Sequence, residues 1–247
     1  MALKIDFNYS PNFNPIKRQS KQIKFLIFHY TGMKNETVAL KKLTKIQSEV
    51  SSHYLIKNNG DIVLLVPDLY IAWHSGKSSW KNYESLNKHS IGIEISNPGH
   101  QFNYKEFSKK QISSVFGLSK FLIKKYKINP KNILGHSDIA PNRKKDPGEK
   151  FPWKYLAKNK IGFWHSLSDQ LLKKNRLIKV NNENKTVFFK NLYKIGYPRK
   201  SSKNFNEAKH QRFIINAFQR RFRQELINGK IDKECLLISS NLLKKHH

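Results

Sequence analysis

Three polar residues are set in apolar stretches. His29 follows "FLIF", Glu94 sits within "IGIEIS", and His136 follows "ILG". A fourth, Asp146, lies ten positions beyond His136 and immediately before Pro147 and Gly148. Two imidazoles and one carboxylate suit a zinc ion that keeps its fourth position for water. Such an ion brings the pKa of water towards ~7 and polarises a carbonyl. A carboxylate beside it, here Glu94, would take the proton of that water. Taken singly, each residue also has a plain reading. A strand-end His is commonly a satisfied structural group, and Asp before Pro-Gly is commonly a turn former. Glu94 within an isoleucine-rich strand needs a cationic partner if it is only structural, because an unpaired buried carboxylate is costly. No His-Glu-x-x-His spacing is present, so spacing alone does not establish a metal.

The elements that must present these residues read as follows. "QIKFLIFHYTG" is a buried strand over Ile23–Tyr30. Glu36–Gln47 reads as a helix, with Val38, Leu40, Leu43 and Ile46 at roughly helical spacing. Asn-Asn-Gly-Asp between two apolar runs signals a hairpin. In "HSIGIEISNPG" strict alternation puts Ile91, Ile93 and Ile95 on one face, and Gly92, Glu94 and Ser96 on the other. Residues 105–127 are the clearest helix, striped by Ile112, Val115, Leu118, Leu122 and Tyr126. "KNILGHS" is a short strand whose end carries His136. Alternating strands and helices with a hairpin among them imply an α/β (α+β) domain: a mixed central sheet flanked by helices.

Three regions follow. Residues 1–20 read as an irregular arm, 21–164 as the catalytic domain, and 165–247 as a linker near 165–185 plus a small helical module. In the module Ile214, Ala217, Phe218 and Phe222 share one side of an amphipathic stretch. The module is expected to be separable, so that removal of residues 170–247 leaves an active core.

Composition narrows the function classes. Forty-seven basic and 17 acidic residues leave a formal net charge of +30, which implies attraction to anions. The excess is spread over both halves of the chain, which fits a lysine-rich bias better than one nucleic-acid-binding arm. With one cysteine, Cys235, neither an internal disulfide nor a cysteine-based zinc finger can form. No stretch approaches the ~20 apolar residues of a membrane span. The start at Met1 without an apolar leader leads to the expectation of a cytoplasmic protein, or a periplasmic or secreted one if a leader has been removed.

The motifs "FLIFHYTG", "SSHYLI", "LVPD", "AWHSG", "SIGIEISN" and "GHSDIAPNRKKDPGEKFPW" occur in that order. Together they resemble the zinc N-acetylmuramoyl-L-alanine amidases of the AmpD/AmiD type over about residues 22–164. That family cleaves the amide between N-acetylmuramic acid and the L-alanine of peptidoglycan stem peptides. More loosely, the tail resembles a helical peptidoglycan-binding module. The resemblance implies one Zn2+ per chain on His29, His136 and Asp146, with Glu94 as the catalytic carboxylate. It implies Lys144 as the cation facing the developing oxyanion, while Asp138 shapes the loop through hydrogen bonds to nearby backbone. Tyr30, His53, Trp73, His74, Asn97 and Arg143 are expected substrate contacts, with Arg143 forking onto a stem-peptide carboxylate. The implied partners are muropeptides or larger peptidoglycan fragments, including 1,6-anhydro species, in wall turnover and recycling. The chain is expected to be a monomer with no nucleic-acid partner. Two other readings are a non-catalytic peptidoglycan-recognition protein, which has usually lost a ligand, and a charge-driven nucleic-acid binder, which leaves the ordered motifs unexplained.

Overall fold

The structure is a computed structural model and describes residues 3–199 and 206–245. In chain order its strands are β1 (Ile5–Phe7), β2 (Phe13–Asn14), β3 (Phe25–Tyr30), β4 (Tyr54–Ile56), β5 (Ile62–Leu64), β6 (Ile71–Ala72), β7 (Ser79–Trp80), β8 (Tyr83–Glu84), β9 (Ser90–Ile95) and β10 (Ile133–Gly135). The helices are α1 (Glu36–Thr44), α2 (Lys109–Tyr126), α3 (His136–Ile139), α4 (Trp153–Lys158), α5 (Asp169–Asn175), α6 (Asn182–Ile195), α7 (Glu207–Phe222) and α8 (Lys233–Lys244).

One six-stranded sheet has the order β1-β5-β4-β9-β3-β10. Strands β4, β9, β3 and β10 run parallel. The hairpin partner β5 is antiparallel to β4, and β1 follows β5, so the sheet is mixed. The hairpin lies where Asn-Asn-Gly-Asp signals it. Gly60 takes the φ of +91° that the turn requires.

The alternation of β9 sorts the two faces. Ile91, Ile93 and Ile95 join Leu26 and Phe28 of β3 beneath α2, against Val115, Leu118 and Leu122. Helix α2 starts at a reciprocal cap. Ser108 Oγ accepts from the Gln111 amide, and the Gln111 side chain accepts from the Ser108 amide. Gln111 also donates to the Ser96 carbonyl at 2.7 Å, which ties the helix to the end of β9.

The opposite face carries Phe25, Ile27 and Leu134, and it is covered by the tail. These residues form one core with Phe188 and Leu192 of α6, Phe218 of α7 and Ile238 of α8. The expected linker near 165–185 instead contains α5 and the start of α6. Helices α5, α6, α7 and α8 therefore share the core of the sheet rather than standing apart from it. Sequence periodicity shows that a helix has an apolar side but not which surface covers it.

Three smaller differences have physical causes. The arm is not wholly irregular: β1 extends the sheet and β2 pairs with β6 through backbone bonds, which need no apolar pattern. Helix α1 ends at Thr44 and buries Ala39 and Leu43, four apart, whereas Val38 and Ile46 are exposed. His136 opens the helical turn α3 just past β10.

Candidate active site

Strands β3, β9 and β10 end together at their carboxyl edge, where parallel sheets commonly hold ligands. His29 of β3 is in register with Glu94 of β9, and Gly135 of β10 with Phe28. Paired residues of neighbouring strands point to the same face. His29 and Glu94 are therefore neighbours, and His136 follows one residue beyond its strand.

The loop from Ala140 returns Asp146 to this edge. The Ser137 amide donates to the Asp146 carbonyl at 2.8 Å. Gly135 has no room for a Cβ, which would lie 2.7 Å from Pro147 Cδ. The result is a buried triad. His29 Nδ1 lies 2.9 Å from His136 Nδ1, and each lies 3.0 Å from Asp146 Oδ2.

The outer nitrogens settle the tautomers. His136 Nε2 faces the Ser75 carbonyl at 3.1 Å and must donate to it. His29 Nε2 faces His74 Nδ1 at 3.0 Å. Beyond it, His74 Nε2 faces Ser90 Oγ, whose own proton goes to the Leu86 carbonyl. His74 Nε2 therefore donates to Ser90, His74 Nδ1 accepts, and His29 Nε2 donates. When both rings are neutral, this leaves the Nδ1 lone pairs of His29 and His136 facing a carboxylate oxygen. Three acceptors so close repel one another unless a cation lies among them. The donor set suits zinc, and outer partners that fix each imidazole are the usual support of such a site.

Charge follows the same logic. Burial, followed by the neighbouring His136, lowers the His29 pKa to about 4, so its ring is neutral near pH 7. Burial and the charge of Asp146 raise Glu94 to about 8, against the pull of Lys144. One oxygen of Glu94, Oε2, has no hydrogen-bond partner.

The triad opens into a cavity of about 360 Å³, walled by Tyr30, Trp73, His74, Glu94, Arg143 and Lys144 among others. The expected substrate contacts divide here. Tyr30 and Trp73 line the cavity, Trp73 with 36% of its surface exposed. His74 reaches the wall but is bonded on both ring nitrogens to His29 and Ser90. Arg143 lines the cavity, and its Nε and one terminal nitrogen donate to the carbonyls of Ser75 and Lys77. It braces the loop that holds His136 Nε2.

His53 does not reach the cavity: it is fully buried, and its Nδ1 accepts from the Gly92 amide. Nor does Asn97, which is 4% exposed and bonds the Lys105 carbonyl and the Gly99 amide. Both shape backbone next to β9, a role that residue type alone does not separate from substrate contact.

Several site residues escape sequence reasoning. His100 lines the cavity, receives the Tyr30 hydroxyl at 2.9 Å, and faces Glu149 at 3.1 Å. Lys42 of α1 adds a cation to the rim. Gly92 is the clearest missed signal. A Cβ there would lie 2.4 Å from the His74 ring, so only glycine lets His74 lie across β9. The alternation of β9 already put Gly92 on the face of Glu94, and a glycine inside a strand marks close approach by another group.

Residues 19–149 match the family described as N-acetylmuramoyl-L-alanine amidase, and the chain belongs to that family. AmiD of Escherichia coli strain K12 is 37% identical over 237 residues, covering 91% of this chain and 84% of AmiD. AmpD of the same organism is 41% identical over 99 residues, covering 40% of this chain and 52% of AmpD. Among solved structures, E. coli AmiD in complex with the substrate anhydro-N-acetylmuramic acid-L-Ala-D-gamma-Glu-L-Lys superposes with a TM-score of 0.79. It is 35% identical, and the match covers 94% of this chain and 92% of AmiD. AmpDh3 of Pseudomonas aeruginosa superposes with a TM-score of 0.78 at 31% identity over 99% of both chains. The similarity therefore extends through the tail. No described helix is long and apolar enough to cross a membrane.

Proposed function

We propose that this chain hydrolyses the amide between N-acetylmuramic acid and L-alanine in muropeptides, including 1,6-anhydro species, with one zinc ion held by His29, His136 and Asp146. The observation that carries the metal assignment is the convergence of two imidazole lone pairs and a carboxylate oxygen within 3.0 Å of one another. The substrate class is that of the AmiD complex, whose bound compound is an anhydro-muropeptide.

When bound, zinc supplies Lewis acidity, which acidifies water and polarises the amide carbonyl. The rest falls to the chain. Glu94 takes a proton from the attacking water and returns it to the alanine nitrogen as the C–N bond breaks. A carboxyl beside the metal, able to accept and then return one proton, suits both halves of that task. Lys144, on the same cavity wall, places a positive charge where the carbonyl oxygen becomes negative. Donors in such positions are commonly worth about 3–4 kcal/mol in acyl transfer. Tyr30 and Trp73 offer flat faces to sugar or peptide.

The test is digestion of purified anhydro-muropeptides with mass spectrometry of the products. The free stem peptide and the anhydro sugar are expected, and a chelator should abolish both. Intact substrate after incubation with zinc-loaded protein would contradict the proposal.

A further inference from the structure

The acidic residue of the metal loop that the triad does not use is Asp138. It is 1% exposed, in a chain with 47 basic and 17 acidic residues. It lies two positions from His136, on the turn α3. Its Oδ2 accepts from the Gly135 amide at 2.8 Å, so it holds the backbone immediately before the ligand. The expectation of local backbone bonding is met by that contact, but the remaining partners are remote.

Both come from the tail. Arg221 of α7 donates to Asp138 Oδ2 at 2.5 Å, and the hydroxyl of Tyr197, just after α6, donates to Oδ1 at 2.9 Å. Arg221 is 2% exposed and Tyr197 is 2% exposed. A second nitrogen of Arg221 donates to the Ile133 carbonyl at 2.9 Å, at the start of β10. One guanidinium thus grips the backbone three residues before His136 and a side chain two residues after it. The plane of Arg221 is itself held over Trp153, 4.3 Å from the ring centroid.

We infer that Arg221 and Tyr197 are positioning residues for the metal site: through Asp138 they fix the β10–α3 junction that aims His136 at His29 and Asp146. This rests on the zinc reading of the triad. A buried carboxylate needs full hydrogen bonding, and loss of one partner leaves a costly orphan that the loop must move to satisfy. A loop displaced at Gly135 carries His136 with it. Metal ligands tolerate little such displacement, and loss of an outer partner typically lowers metal affinity 10–100-fold. The solved AmpD structure matches 64% of this chain with 98% of its own length, so the catalytic fold also exists in a shorter form. In this chain the partners of Asp138 are supplied by the tail.

The experiment uses the full-length protein with zinc affinity measured by competition against a chromophoric chelator, and the visible spectrum of the cobalt-substituted protein. Tyr197→Phe removes one hydrogen bond without removing volume. It is expected to weaken zinc binding about tenfold or more and to shift the cobalt bands. Arg221→Lys keeps the charge but loses the second contact, and is expected to act in the same direction. If Arg221→Lys fails to fold, Tyr197→Phe decides alone. Ile238→Val, in the same core but remote from Asp138, should lower the melting temperature and leave zinc affinity unchanged. In an Asp138→Asn background, Tyr197→Phe should add nothing further. Zinc affinity within twofold of wild type in Tyr197→Phe, or an equal loss in Ile238→Val, overturns the inference while the zinc site stands. A wild-type protein that binds no zinc would end both readings.

Discussion

His29 and Glu94 stand opposite each other in register on adjacent parallel strands, one supplying a lone pair to the triad and the other a carboxyl beside it. The sheet itself thus fixes the separation between the proposed ligand and the proposed base, because neighbouring strands lie about 4.8 Å apart. Neither residue depends on a flexible loop for its place.

The first prediction concerns the proton. Glu94→Gln keeps shape and volume but cannot accept a proton. It should retain zinc at the wild-type level by elemental analysis and lose about 10²–10⁴-fold in kcat. A variant that turns over within a few-fold of wild type would remove Glu94 from the proposed mechanism.

The second concerns the space above β9. Gly92→Ala drives a methyl into the His74 ring, and overpacking of this kind costs about 1–3 kcal/mol. It should displace His74 from His29 and weaken zinc binding about 10–100-fold. His74→Ala removes both the clash and the support. The double variant Gly92→Ala/His74→Ala should therefore match His74→Ala alone in zinc affinity and in melting temperature. Additive losses would show that the two residues do not act through one contact.

The third concerns pH. In the metal-free protein Glu94 has its pKa raised from 4.5 to about 8, by burial first and by Asp146 second. Between those values the folded protein binds more protons than the unfolded chain, so this group's contribution to stability is present below pH 4.5 and is lost as pH rises towards 8. The amide of the Glu94→Gln variant does not titrate and contributes no such slope. The melting temperature of chelator-treated Glu94→Gln minus that of wild type should be near zero at pH 5 and grow to a positive value by pH 8.5. A difference that does not vary with pH would contradict the raised pKa.

The fourth concerns the tail. Removal of residues 165–247 would uncover Phe25, Ile27 and Leu134 and strip Asp138 of Arg221 and Tyr197. The truncated chain is expected to lose its cooperative thermal transition. Retention of a sharp transition and of activity would restore the separable module that the sequence suggests.

The last point marks where the sequence stops being informative. His29, Glu94 and His136 are legible because each is a polar residue in or at the end of an apolar stretch, whereas Asp146, in a polar loop, is legible through its place ten positions beyond His136 and the motif around it. The face of Glu94 and Gly92 follows from the alternation of β9 alone. What covers that face does not: Phe25 and Ile27 read only as buried, and nothing local to "AFQRRF" says that its Phe218 joins the same core. The same limit separates Tyr30 and Trp73, which line the cavity, from His53 and Asn97, which hold backbone. All four are polar or aromatic residues beside a strand end, and only three-dimensional neighbours tell them apart. Arg221 is the sharpest case, one basic residue among 47, distinguished by remote partners that include a carboxylate 83 positions away.

The central claim is most directly tested by zinc titration of chelator-stripped protein, with binding and muropeptide cleavage followed in the same samples. The account predicts no activity without metal, recovery that rises linearly and ends at one equivalent, and no stoichiometric binding in His136→Ala. Full activity in the stripped protein, or one equivalent bound as tightly by His136→Ala as by wild type, would contradict it.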